Sequence, residues 1–205
     1  NTLGASASEV IVTVNGSTPA NALTINALVS GGAGSLTKAG TGTLILGGAN
    51  AYTGTTTINE GTVRLAGSGA LGGSNAGLTI RQNGTLDLNG VNAGNVGAFN
   101  NAGTVTNAST TAGTATLTVG NNATSGLSSG LITDANYTTP GQGKLGLTKT
   151  STGTLSITSA NTFTGPMTIN GGTVAVTSLA NIGSPSGIGA GDTGDNAGSL
   201  VFNGG

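Results

Sequence analysis

Few side chains in this 205-residue chain can do chemistry. Its charged groups are six acids (Glu9, Glu60, Asp87, Asp134, Asp192, Asp195) and five cations (Lys38, Arg64, Arg81, Lys144, Lys149), with no His and no Cys. Without imidazole or thiol, most nucleophile–base pairs and the soft metal ligands are unavailable. Two acids share a glycine-rich loop, Gly187-Ile188-Gly189-Ala190-Gly191-Asp192-Thr193-Gly194-Asp195-Asn196. Calcium takes several carboxylate and carbonyl oxygens from such a loop, so Asp192 and Asp195 form the candidate metal site. The plainer reading of the same residues is an Asx-turn loop. The other acids are scattered, and the alternation around Asp87 points it outward from a strand. Carbohydrate chemistry needs convergent carboxylates, or a basic side chain, beside aromatic platforms. No catalytic residue is expected, and a polysaccharide-degrading enzyme is the remote alternative.

Gly67-Ser68-Gly69-Ala70-Leu71-Gly72 spells G-x-G-x-x-G after a strand. A dinucleotide site also needs a helix opening there, and Gly73-Ser74-Asn75-Ala76-Gly77 cannot be one, so the motif reads as a turn and no cofactor is expected. The net charge is −1. Nucleic-acid binding draws on clustered Lys and Arg, which this chain lacks. No apolar run approaches the ~20 residues of a transmembrane helix, so no membrane span is expected in the chain.

The elements that must position these residues are strands. Helix formers are scarce, and period-2 alternation recurs: Val10-Ile11-Val12-Thr13-Val14, Thr43-Leu44-Ile45-Leu46, Thr62-Val63-Arg64-Leu65, Leu78-Thr79-Ile80, Thr85-Leu86-Asp87-Leu88, Thr116-Leu117-Thr118-Val119, Thr154-Leu155-Ser156-Ile157, Thr173-Val174-Ala175-Val176. Gly, Asn and Ser bound each run, which is the pattern of short half-buried strands. Gly-Thr-(Leu/Val) returns at Gly42, Gly61, Gly84, Gly103, Gly153 and Gly172, mostly at steps of about 20 residues, which suggests stacked coils. Gly would close a tight turn where φ can be positive, Thr would face out, and Leu or Val would face in. About nine or ten coils at ~4.8 Å would make a rod of roughly 45 Å. Leu44, Leu46, Val63, Leu65, Leu78, Ile80, Leu86 and Leu88 would form one dry column, continued by Leu155, Ile157, Ile169, Val174, Val176, Leu200 and Phe202.

A longer repeat overlies the short one. Residues 36–63 return as 147–174 without a gap, with about 17 of ~28 positions identical. The predicted organisation is a single domain over 1–205. It has modules at about 34–90 and 145–205 and irregular coils over 91–144, with a longer excursion around Asp134–Gly143. Tyr52 and Phe163 share one repeat position and read as aromatic plugs at a coil end. Lys38 and Lys149 share another and read as surface lysines that add solubility and discourage lateral strand pairing.

The string Leu36-Thr37-Lys38-Ala39-Gly40-Thr41-Gly42-Thr43-Leu44, followed by Asn50, Tyr52, Gly54, Ile58, Gly61 and Val63, resembles the autotransporter-associated β-strand repeat, also called the passenger-associated transport repeat. The second copy carries Leu147, Lys149, Gly153, Leu155, Asn161, Phe163, Gly165, Ile169, Gly172 and Val174 in the same places, and departs at Ser151, Ser159 and Met167. The resemblance implies an all-β, right-handed parallel β-helix with coils of about 20 residues, in an extracellular or cell-surface bacterial protein. The family's C-terminal membrane barrel is not in this sequence, so the chain is expected to be a passenger fragment, a processed product or a subunit.

The expected function is non-catalytic: a β-helical rod in a bacterial surface stalk, layer or filament. Open strand edges at its ends would support a homo-oligomer or polymer through strand addition. The alternative is a passenger or adhesin that binds host or matrix glycans.

Overall fold

The computed structural model describes residues 2–4, 9–16, 21–30, 32–73, 75–94, 96–134, 142–192 and 200–204. It is an all-β parallel solenoid of about 7 turns with coils of roughly 23 residues. The turns are fewer than the nine or ten expected because coils in the middle of the chain are longer. Val63 stacks on Leu44 and Leu86 on Val63, but Ile132 is the next partner after Val105, and Leu147 the next after Leu117. At ~4.8 Å per step, the rod is roughly 34 Å long. Among the described residues no α-helix forms, and Asn121–Ala123 makes one 3-10 turn. The scarcity of helix formers and the abundance of Thr, Val and Gly account for this.

Every ladder between the named strands is parallel, and apart from one bulge the pairing stays in register along each ladder, which brings like residues of successive coils together. One ladder runs Leu36–Ala39, Thr56–Leu65, Leu78–Asp87 and Phe99–Asn101. Another runs Gly113–Val119, Gly143–Lys149, Met167–Ile169 and Leu200–Phe202. The inward columns are as expected through most of the rod: Leu44, Leu46, Val63, Leu65, Leu78, Ile80, Leu86, Leu88, Leu155 and Ile157 are all buried in one core cluster. A single coil cannot bury that face, so each coil depends on its neighbours for stability. Val174 and Val176 are only partly buried. Leu200 and Phe202 stack in register on Met167 and Ile169, but are 40% and 69% exposed.

The long ladder bends where Thr56–Leu65 meets Leu78–Asp87. Ile58 pairs with Ile80, but Glu60 pairs with Asn83, so Arg81 and Gln82 stand opposite Asn59 alone. This β-bulge turns the strand and re-aims Arg81.

Candidate functional site

Polar side chains inside the columns are the least expected feature. Lys38 is not the surface lysine that its residue type predicts. It is fully buried, stacked in register between Val12 and Ile58. Alternation is the cause: Leu36 faces in, so Lys38 two residues on does too. Its stem fills the column, and its ammonium donates to the carbonyls of Ala39 (2.7 Å), Gly40 (2.6 Å) and Glu60 (3.2 Å). Lys149 repeats the arrangement between Val119 and Ile169, donating to the carbonyls of Thr150 and Ser151. Burial holds both ammonium groups below the usual lysine range, and the nearby Glu60 charge partly offsets this for Lys38. Each lysine therefore acts as an internal cation that closes a turn. Gly40 adopts φ +76° there. Ser151, its counterpart, adopts +61° and its Oγ accepts from Ala123 N at 3.0 Å.

The repeat asparagines peg three coils together. Asn50 Oδ1 accepts from Val29 N of the coil before, and Nδ2 donates to Ala70 O of the coil after, both at 2.9 Å. Asn161 likewise links Ile132 N (2.8 Å) to Gly187 O (3.5 Å). Reading the repeat alone missed Asn107, which links Gly90 N (2.8 Å) to Lys144 O (2.7 Å). A signal was present: Thr104-Val105-Thr106-Asn107 and Leu131-Ile132-Thr133-Asp134 are stacked strands, each ending in Asx. Buried amides satisfied on both sides hold register as well as stability.

Tyr52 and Phe163 are buried, as expected of plugs. The Tyr52 hydroxyl lies 2.6 Å from Thr56 Oγ1, which in turn donates to Leu71 O at 3.2 Å. Burial pushes the Tyr52 phenol well above its ordinary pKa. In the second copy Phe163 is paired with Met167 at the matching positions, so both hydroxyls have gone together. A lone buried hydroxyl costs about 1–3 kcal/mol, which explains the joint exchange. Tyr52→Phe should cost about 1 kcal/mol, and Thr56→Met beside it should recover part of that loss. A double-mutant cycle of urea midpoints checks this, and purely additive costs would refute the coupling.

Among the described residues, no three acids converge. Asp87, expected to face outward, is buried. The corner after its strand aims Asn89 N and Ala108 N at Oδ1 (both 2.9 Å), and Arg64 Nε sits 2.7 Å from Oδ2. Asp134 is also buried and accepts from Leu145 N, Thr164 N and the Thr164 hydroxyl. Burial raises its pKa, against the pull of those hydrogen bonds and of Lys144. A raised folded pKa contributes stability that is present below the unfolded value of ~3.9 and is lost as pH rises through the folded one. Thermal midpoints should therefore rise as pH falls toward 4, and Asp134→Asn should flatten that slope. An unchanged slope in the variant would exclude Asp134 as its source.

Of the calcium candidates, Asp192 forms an ion pair with Lys144, and Asp195 lies outside the described residues. Among the described residues, no group of three His, Cys, Asp or Glu side chains is placed to hold a metal ion. Gly67–Gly72 is a turn between Thr56–Leu65 and Leu78–Asp87. Residues 135–141 of the expected excursion also lie outside the described set.

One lateral groove, of about 430 Å³, crosses three coils beside the bulge. Thr79, Asn100 and Leu127 line it in register, with Arg81 and Gln82 at its edge.

The passenger-associated transport repeat family matches residues 36–65 and 147–176, the two stretches that hold the lysine cages, the asparagine pegs and the aromatic plugs. The chain carries two passenger-associated transport repeats. Each copy therefore has a physical content: one turn-closing lysine, one asparagine peg and one plug, on strands that stack on the next coil. A curated relative, the adhesin BmaC autotransporter of Brucella suis biovar 1 (strain 1330), is 37% identical over 175 residues. The match takes in 85% of this chain and 5% of the relative, so the chain spans a small part of that protein's length. No solved structure matches the chain.

Proposed function

We propose that the chain is a non-catalytic rod segment of a secreted bacterial surface protein, acting as a mechanical spacer in a stalk, layer or filament. One observation carries this reading: the buried polar groups Lys38, Lys149, Asn50, Asn161, Asp87 and Asp134 are occupied with the backbones of neighbouring turns and coils. They bond the solenoid to itself, and among the described residues no three acids converge. The two repeats, and the similarity to part of an autotransporter, support an extracellular or cell-surface location. Leu200 and Phe202, stacked on Met167 and Ile169 and exposed, would be covered by a second copy of the chain. Negative-stain microscopy of the purified chain tests the assembly: filaments that lengthen with concentration are expected, and monodisperse short rods at high concentration would reject it.

The second reading is an adhesin, favoured by the relative's name and by the lateral groove. Display of the chain on non-adherent bacteria should then confer attachment to glycan-coated surfaces. Unchanged attachment would count against it.

A further inference from the structure

Four of the five cations are already engaged, two in the core and two in ion pairs. Lys38 and Lys149 are caged by carbonyls, Arg64 pairs with Asp87, and Lys144 pairs with Asp192. Among the described residues, Arg81 is the one cation with neither a carboxylate partner nor a place in the core. It is exposed at the groove edge, and its Nε donates to Asn59 Oδ1 at 2.8 Å. That bond orients the guanidinium and leaves its Nη groups to solvent, where a planar fork fits an oxyanion.

We infer that this groove binds an acidic saccharide, with Arg81 holding a sugar carboxylate; the inference rests on the adhesin reading. Charge complementarity selects the anion, because among the described residues the other partly exposed cations, Arg64 and Lys144, are already paired with carboxylates. The saccharide follows from the lining and the backbone. Asn100 and Gln82 offer amides suited to sugar hydroxyls, and Leu127, 47% exposed, gives an apolar contact for a ring face. A peptide would gain most from adding a strand to an open edge. In these coils both edges of Leu78–Asp87 and Phe99–Asn101 are already paired, with Thr56–Leu65 below and Gly126–Ser128 above. The in-register groove runs along the rod across coils ~4.8 Å apart, close to the repeat of a sugar unit.

Isothermal titration of the chain with a galacturonate hexasaccharide, and with the neutral galactose hexasaccharide, tests this. The acidic probe should bind and the neutral one should bind at least about tenfold more weakly. Arg81→Gln should weaken acidic binding at least about tenfold, as expected for loss of one charge-assisted contact. Its circular dichroism melt should be unchanged, because Arg81 is exposed. Equal binding of both probes, equal binding by Arg81→Gln, tighter binding of an acidic peptide, or no binding of the acidic probe would each overturn the inference. Display on bacteria separates the two claims. Attachment by wild type that persists in Arg81→Gln rejects the groove and keeps the adhesin. Acidic-probe binding without attachment keeps the groove and rejects the adhesin.

Discussion

Replacing Lys38 by methionine lowers the unfolding free energy by about 3 kcal/mol or more. Methionine can refill the space between Val12 and Ile58, so little apolar packing is lost. What disappears is the donor to three carbonyls, at Ala39, Gly40 and Glu60. Each acceptor left dry costs about 1–3 kcal/mol, so even partial rehydration leaves a large deficit. Urea unfolding followed by circular dichroism reads this directly; a loss under about 0.5 kcal/mol, the level of an ordinary surface change, would return Lys38 to a surface role. Arginine would not rescue it, because a planar fork cannot satisfy carbonyls arranged around a point charge. The pH response follows from the lowered pKa. The unfolded chain binds the lysine proton more readily than the folded one, so the charged form costs stability. This contribution should rise as pH climbs through the folded pKa toward ~10.4.

Gly61→Ala is the second large effect, at about 3 kcal/mol. Gly61 has φ +68°, and a Cβ there would lie 2.5 Å from the carbonyl oxygens of both Gly40 and Gly42 in the coil before. The left-handed conformation costs an L-residue about 1–2 kcal/mol, and forcing backbone apart adds roughly 1–3 more. The obstacle is a ladder that cannot move without breaking its own register. Gly67→Ala is the control: its φ is +57°, but the nearest atom to an added Cβ is 3.6 Å away. It should lose only the conformational part, about 1 kcal/mol. Equal losses at the two sites would mean that coil-to-coil contact contributes nothing.

Gly172 matches Gly61, with φ +72° and a Cβ position 2.4 Å from Gly153 O. At Gly42, Gly84, Gly103 and Gly153 φ is not in the left-handed range, contrary to the expectation for these turns. Those glycines are needed for the close approach of the coil before; at Gly103 a Cβ would meet Arg81 O and Gly84 O at 2.3 Å. The motif was legible and its reason was not, because the reason lies in a neighbour about twenty residues away.

The same division runs through the polar residues. Alternation placed Lys38 inward with Leu36, yet lysine's usual preference for water argued otherwise. What tips the balance is a cage of turn carbonyls that exists only once the turn has formed. Asp87 is similar: strand periodicity points it outward, and the corner that brings Ala108 N to it is formed by the next coil. Met167 stands out in the sequence as a departure and Phe163 as the counterpart of Tyr52; that the two changes belong together shows only where the side chains meet.

The sequence by itself determined the all-β stacked architecture, the repeat and its two copies, and most of the aliphatic column. These follow from period-2 patterning and from one coil's inability to bury its own face. Only the tertiary structure decided which polar side chains enter that column, how many coils the rod holds, and where the bulge leaves Arg81. Each of those depends on hydrogen-bond partners and contacts supplied by adjacent coils, which local patterning does not encode.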